Sequence, residues 1–437
     1  LLLSPPSARG QVADRPNGTN SGVLVNYTEA HVGAYTLPDP LKLANGEPVQ
    51  DARAWVELRR PELLKYYQSE IYGRIPATAP KVTWEVVSVD TNALDGVAIM
   101  KQLAGHMGSP DGPAIRVTLY TPAKAAKPVP ALVTISFDFG AGRGRQPGAV
   151  STNPANASST GTVAQVAARG SGRGARGGPP GGGFAMRGTP AELITNGLAC
   201  ATIVYSSIET DFSGQTNVNI VRKLALAPGQ IVPAADEWGA IAAWAWGISR
   251  FVDYFETDSA VDAKRIAITG VSRLGKTVLW AGASDSRIAL VIASCSGEGG
   301  ASLARRNYGE TIAHLVAPAR YPYQFAGNYA RYAKDPGLLA VDTHCQIALM
   351  APRPVLLQTG NTDHWSDPKG EFLAAIAARP VFELFGEKGP ATDDFPPAGQ
   401  FVGDTLGYYM HDGGHGPAPS DWDVYLKFLT RHLRPGT

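Results

Sequence analysis

The stretch Arg265-Ile-Ala-Ile-Thr-Gly-Val-Ser-Arg-Leu-Gly-Lys276 decides how the chain is read. A β-branched run enters Gly270, passes Ser272 and Gly275, and goes over to a helical pattern from Lys276 through Ala283. Glycines on both sides of a serine, between a strand and a helix, build a sharp turn that lifts the hydroxyl above the carboxyl edge of a sheet. The usual spacing is G-x-S-x-G, and here the second glycine comes one position later. A serine in such a turn serves either as a nucleophile or simply as the N-cap of the helix behind it.

Outward from this turn, short apolar runs recur at Ala131–Ser136, Ala199–Tyr205, Leu290–Ala293, Val355–Gln358 and Gly407–Met410. With Arg265–Thr269 they lack polar alternation, as strands buried on both faces do. An α/β fold with a mostly parallel central sheet and helices on both faces is therefore expected. Helices are expected at Trp238–Phe255 and at Asp421–Leu433, the latter with Ser420 as N-cap three residues before Asp423. Upstream, Val82–Val87 and Ile115–Tyr120 alternate like an antiparallel opening to the sheet. Trp55, Leu58, Leu63, Leu64, Tyr67 and Ile71 recur at helical spacing across Asp51–Tyr72. Residues 1–50, rich in Pro, Gly, Asn and Ser, read as an extended N-terminal wrap, and 51–437 as one domain.

Between Ala141 and Pro190 six arginines occur with no lysine and no acid, in glycine-rich sequence. Such composition cannot bury a core and reads as a flexible surface insertion at about 141–190. Arg-Gly tracts also occur in RNA-binding tails. The whole chain, however, sets 39 Lys+Arg against 38 Asp+Glu for a net charge of +1. It has no overall field to attract a polyanion, so nucleic acid is not an expected partner. At 44% hydrophobic, the 437 residues carry enough apolar surface for an ordered core. Cys200, Cys295 and Cys345 allow one disulfide at most. No apolar run approaches the length that spans a bilayer, and no membrane partner is expected. The opening Leu1-Leu2-Leu3-Ser4 matches either the stub of a cleaved export signal or an arbitrary boundary; the first gives an expectation of secretion or a periplasmic location. A monomer is expected.

A serine nucleophile needs a base, and the base an orienting carboxylate; in α/β-hydrolases the acid and then the histidine follow the serine. Tyr408-Tyr-Met-His-Asp-Gly-Gly-His-Gly-Pro-Ala-Pro-Ser420 offers His411 and His415. His415 falls in a Gly-rich loop between the last strand and the last helix. His411 falls at the strand end, where a packing or hydrogen-bonding role is the simpler reading. Pro354-Val-Leu-Leu-Gln-Thr359 runs into a loop with Asp363 and Asp367. Asp363 comes sooner after the strand, whereas Asp367 precedes Pro368 and suits a turn or helix start. The candidate triad is Ser272, His415 and Asp363.

With these residues in place, the chain resembles the glucuronoyl esterases of carbohydrate esterase family 15, above all their bacterial branch, from about Asp51 to Leu433. Gly270-Val-Ser-Arg-Leu-Gly-Lys276 looks like the family's G-x-S-R-x-G-K signature, which accounts for the displaced glycine. Asn307-Tyr-Gly-Glu-Thr311, Asp342-Thr-His344, Ala351-Pro-Arg-Pro354 and Asp363-His-Trp365-Ser-Asp-Pro-Lys-Gly-Glu371 stand in register with it. The resemblance implies an α/β-hydrolase three-layer sandwich and a secreted or periplasmic bacterial serine esterase. Its substrate would be the ester joining 4-O-methyl-glucuronic acid side groups of xylan to lignin alcohols. Ser272 is implied as nucleophile, His415 as general base and Arg273 as an oxyanion-hole residue. Lys276, Glu310 and Trp365 match the positions that hold the sugar hydroxyls. Neither a cofactor nor a metal site is expected: His344 with Cys345 is a poor ligand pair, and Asp342 and His344 read as loop-stabilising.

One departure bears on mechanism. Many members carry a glutamate in the segment corresponding to Ala293-Ser-Cys-Ser-Gly-Glu-Gly-Gly300, at the place of Cys295. A thiol cannot supply the carboxylate that orients an imidazole. The acid role then falls to Asp363, with Glu298 as the alternative. Two other functions stay open on sequence alone. One is a different polysaccharide serine esterase, such as an acetyl esterase, which would not need Lys276, Glu310 and Trp365. The other is a carbohydrate-binding pseudoenzyme, motivated by Cys295.

Overall fold

In the computed structural model, residues 12, 14–137, 189–212 and 218–433 are described. The Gly/Arg-rich stretch lies outside them, save Thr189 and Pro190. A hairpin of β1 (Gly18–Asn20) and β2 (Val23–Val25) is separate from a ten-stranded sheet. The sheet contains β3 (Val82–Ala93), β4 (Ala98–Met107), β5 (Ala114–Pro122), β6 (Val129–Ser136), β7 (Ala199–Val204) and β8 (Val261–Val271). β9 (Ile288–Ser294), β10 (Val355–Gly360), β11 (Phe401–Gly403) and β12 (Leu406–His411) complete it. Their order is β11-β12-β10-β9-β8-β6-β7-β5-β4-β3. The neighbours from β12 through β7 pair in parallel, and the remaining strands add antiparallel edges.

The unbroken apolar runs are explained by two cores. Ala131, Val133 and Ile135 of β6 enter one core while Leu132 enters the other. In β8, Ile266 and Ile268 oppose Ala267; in β10, Val355 and Leu357 oppose Leu356; in β12, Tyr408 and Met410 oppose Tyr409. With a side-chain period of two, both faces of each strand must be apolar when helices cover both. One face carries α1 (Arg60–Glu70) through Leu63 and Tyr67. The opposite face carries α2 (Pro190–Thr195) through Leu193. The first core also takes α3 (Ala240–Phe255), α4 (Arg273–Ser284), α5 (Thr343–Ala348) and α6 (Pro368–Glu383). The second takes α7 (Asp421–His432), through Trp422, Tyr425, Phe428 and Leu429. This is the three-layer α/β-hydrolase arrangement.

The structure corrects two details. β4 lies between the two antiparallel strands read from sequence; its run Ala-Ile-Met-Lys-Gln-Leu-Ala-Gly-His-Met is half-buried and has no clean alternation. Ser420 does not cap α7 through its side chain, because its backbone is already helical. Asp421 takes the nearby loop amide instead, its Oδ2 accepting from Ala418 N at 2.6 Å.

Residues 14–50 carry little regular structure and are tied down by long-range bonds. Arg59 Nε donates to Pro40 O at 3.2 Å, and His344 Nε2 stands 2.8 Å from Pro38 O. Asn26 brackets the motif around Glu310: its Nδ2 donates to Asn307 O at 2.6 Å, and its carbonyl accepts from Gly309 N at 2.9 Å. Among the described residues no helix is long and apolar enough to cross a membrane.

The turn between β8 and α4 has no room for side chains at its glycines. A Cβ at Gly270 would lie 2.4 Å from Leu274 O, whereas one at Gly18 would meet nothing within 4 Å. Gly270→Ala is expected to destabilise the fold by about 1–3 kcal/mol through overpacking. Gly18→Ala should stay within roughly 0.5 kcal/mol. Denaturant midpoints of the two variants against the parent check the contrast.

Candidate active site

Ser272 sits where β8 turns into α4 with φ 60° and ψ −127°, a left-handed conformation that costs a non-glycine residue about 1–3 kcal/mol. Its amide is held by Ser294 O at 2.8 Å, which ties the turn to the end of β9. Its side chain makes no capping bond to α4. The hydroxyl is thus not spent on ending the helix, the use that a simple N-cap would require. Gly275 lets α4 pass close to the next strand end, since a Cβ there would lie 2.8 Å from Ser294 O.

The other candidates come from the carboxyl ends of the adjacent parallel strands β9, β10 and β12, where ligands bind in open α/β sheets. The loops after β10 and β12 are laced together. Asn361 N donates to His411 O at 3.0 Å, Thr362 N to Gly413 O at 2.9 Å, and Gly413 N to Asn361 Oδ1 at 2.9 Å. This lacing brings His415 Nδ1 to 2.7 Å from Asp363 Oδ2, with Ser366 Oγ at 3.3 Å from the same nitrogen. Burial alone would raise the Asp363 carboxyl; its hydrogen bonds to His415 and Ser366 and its electrostatic interaction with His415 outweigh burial and hold it below its ordinary value. Glu298 faces elsewhere. It is buried, accepts from Tyr329 OH at 3.0 Å, and burial pushes its carboxyl well above the usual range. His411 is a buried structural residue between Asp421 Oδ2 at 2.8 Å and Gly414 O at 3.1 Å. Asp367 starts α6 by accepting from Gly370 N at 3.0 Å and pairs with Arg306 at 2.9 Å.

Ser272, Arg273, Lys276, Glu310, Asp363, Trp365 and His415 all line one cavity of about 350 Å³, so every site residue read from sequence meets there. Neither cation of the serine turn is unpaired. Arg273 Nη1 lies 2.6 Å from Asp211 Oδ2, and its guanidinium covers the Tyr321 ring at 4.2 Å. Burial alone would lower the Arg273 pKa; Asp211 and Tyr321 outweigh it, and the cation is held firmly charged. Lys276 Nζ is buried, donating to Ser296 O at 2.6 Å and to Glu310 Oε2 at 3.3 Å. Arg320 Nη2 reaches the other Glu310 oxygen at 2.8 Å. One carboxylate between two cations leaves this end of the cavity net positive.

Trp365 and Glu310 are set by a second lacing. Glu310 N donates to Trp365 O at 2.8 Å, and Gly309 allows it with φ +63° where a Cβ would lie 2.4 Å from His364 O. The Trp365 ring meets His314 edge-on at 5.1 Å and carries Arg320 over its face at 4.9 Å.

Sequence reading missed Asp211, Arg320 and Tyr321. Asp211 had one usable signal: it follows shortly after β7 at the same sheet edge. Arg320 and Tyr321 stand in irregular chain without a motif. Sequence reading also did not see that Cys295, Asp363 and His415 each bring one ligand atom to within 4.8 Å of the others, the one such group found among the described residues. Cys295 itself has φ 44°, and its Sγ accepts from Gly416 N at 3.2 Å.

Comparison with known proteins gives concordant matches. A family model described as "Glucuronyl esterase, fungi" matches residues 230–386. The chain is 41% identical to the solved glucuronoyl esterase from Solibacter usitatus, over 92% of this chain and 100% of that one, with a TM-score of 0.78. It is 35% identical to a solved promiscuous CE15 esterase from a marine bacterial metagenome, over 94% and 100%, with a TM-score of 0.77. A carbohydrate esterase of an unknown prokaryotic organism is 36% identical over 94% of this chain and 93% of its own length.

Behind the cavity, Glu371 of α6 supports the turn that seats Lys276. Its Oε1 accepts from Gly297 N at 2.7 Å and from Ser296 Oγ at 3.2 Å, while Oε2 meets no partner among the described residues. Burial pushes this carboxyl up to about 8 from 4.5, against those two bonds. An acid with a raised folded pKa keeps its proton in the native chain after the unfolded chain has lost it. Its contribution to stability is therefore present below about 4.5 and is lost as pH rises towards about 8. Glu371→Gln should flatten this part of the pH dependence. The check is the denaturant midpoint of parent and variant at about pH 5 and about pH 8; an equal fall in both would exclude Glu371 as its source.

Proposed function

The chain belongs to the glucuronoyl esterases of carbohydrate esterase family 15, carboxylic ester hydrolases, and on that premise we propose that it cleaves the ester between 4-O-methyl-glucuronic acid side groups of xylan and lignin alcohols. The observation that carries this reading is the single cavity where Ser272 and the His415–Asp363 pair adjoin Lys276, Glu310, Arg320 and Trp365. A small acyl group needs only the first three residues. A ring bearing several hydroxyls and a carboxyl uses the rest.

In the proposed reaction the Ser272 hydroxyl attacks the uronoyl carbonyl as His415 Nε2 takes its proton. Asp363 holds Nδ1–H and stabilises the imidazolium. The tetrahedral oxyanion faces the Arg273 amide and guanidinium; one such donor is worth about 3–4 kcal/mol of transition-state stabilisation. Collapse returns the proton to the alcohol, which leaves, and water cleaves the acyl-enzyme by the same steps in reverse. The ion pair with Asp211 suits Arg273 to this work, since it fixes the guanidinium before any charge develops and no reorganisation is needed. Lys276 and Arg320 hold the Glu310 carboxylate between them, so it can accept from sugar hydroxyls while Trp365 offers a face to the ring.

Benzyl glucuronate and an aryl acetate, assayed side by side, test the substrate class: turnover of the glucuronate ester by a wide margin is expected. Preference for the acetate would favour the acetyl esterase, and turnover of neither a pseudoenzyme. Ser272→Ala is expected to abolish activity. Asp363→Ala should lower kcat by roughly 10⁴ through loss of the oriented tautomer. Glu298→Ala, whose partner is Tyr329, should cost far less. Equal activity of Asp363→Ala and parent would remove Asp363 from the mechanism.

A further inference from the structure

Cys295 has no task in the reaction just described, yet it occupies a defined place in the site. Its strained backbone at the end of β9 turns a buried thiol towards the cavity lined also by Asp363 and His415. One sulfur, one carboxylate oxygen and one imidazole nitrogen lie within 4.8 Å of one another. The imidazole presents Nδ1 to this group, as its 2.7 Å contact with Asp363 Oδ2 shows. Thiolate, imidazole and carboxylate together form the donor set of borderline-soft divalent ions, zinc above all. Zinc bonds of about 2.0–2.3 Å at tetrahedral angles put ligand atoms roughly 3.3–3.8 Å apart. The longest separation here must shorten, and the His415–Asp363 contact must open, each by on the order of an ångström. The cavity supplies the fourth, open position.

We propose that Cys295, Asp363 and His415 form a binding site for a zinc-class divalent cation, and that its occupancy switches the hydrolase off. Protons balance as follows. Binding releases the Cys295 thiol proton to solvent. The neutral imidazole keeps its single proton, but metal on Nδ1 moves it to Nε2. That nitrogen is the one that would accept the Ser272 proton, so the bound ion removes the general base and takes Asp363 away from it. The inhibitory part rests on the esterase reading; the binding part does not.

Cobalt(II) reports the site without any substrate, because thiolate bound to cobalt gives a charge-transfer band in the near ultraviolet. Titration of the chelator-stripped full chain with Co²⁺ should produce this band in the parent and in Cys200→Ser and Cys345→Ser, but not in Cys295→Ser. Added Zn²⁺ should displace it. In the ester assay Zn²⁺ should inhibit the parent, and Cys295→Ser should need at least tenfold more for the same inhibition. Should Cys295→Ser not fold, His415→Ala provides the second comparison, with Zn²⁺ affinity read by calorimetry and expected to fall at least tenfold. A parent without a cobalt band, a band that survives Cys295→Ser, or Zn²⁺ affinity unchanged by His415→Ala overturns the site. A cobalt band that depends on Cys295, together with ester turnover indifferent to Zn²⁺, overturns the switch and leaves the esterase reading standing.

Discussion

The site depends on one backbone constraint, the left-handed turn at Ser272 held by its amide on Ser294 O. An L-residue takes this conformation only where its surroundings impose it. The imposing surroundings are two glycines that let α4 and the end of β9 close in, and a pair of central parallel strands that cannot shift without breaking both cores. The strain lifts a hydroxyl to the sheet edge and frees it from capping. Everything else in the cavity is arranged around that fixed point.

A second layer of order comes from laced loops. The loops after β10 and β12 share backbone hydrogen bonds, so Asp363 and His415 meet although neither is in regular structure. The segments around Gly309 and Trp365 are laced in the same way, reinforced by Asn26 of the N-terminal segment. Charge follows this pattern. Arg273 is paired with Asp211, and Lys276 shares Glu310 with Arg320, so the excess positive charge lies with the Lys276–Glu310–Arg320 group.

Much of the fold was legible because its signals are local. The runs at β6, β8, β10 and β12 could be read as doubly buried strands, and the glycines around Ser272 as a turn, from neighbouring residues alone. β4 was not legible, since a half-buried edge region imposes no clean alternation. Ser420 misled because capping depends on backbone angles and on a competing Asp421, neither visible in composition. In the cavity, the residues in motif positions were found. Arg320 and Tyr321 were not, because irregular chain has no period to betray where it runs.

The sequence by itself determined the doubly wound sheet, the serine turn and the order serine, acid, histidine, because periodicity and turn chemistry act over a few residues. It also brought its candidates to one edge, since the ends of parallel strands share a side. Only the tertiary structure decided which acid meets His415, which carboxylate pairs with Arg273, and that the Cys295 thiol stands beside Asp363 and His415. Those pairings join residues 52 and 62 positions apart through loop contacts. Electrostatic partnership falls off over ångströms of space and is blind to distance along the chain, so it exists only once the loops are closed.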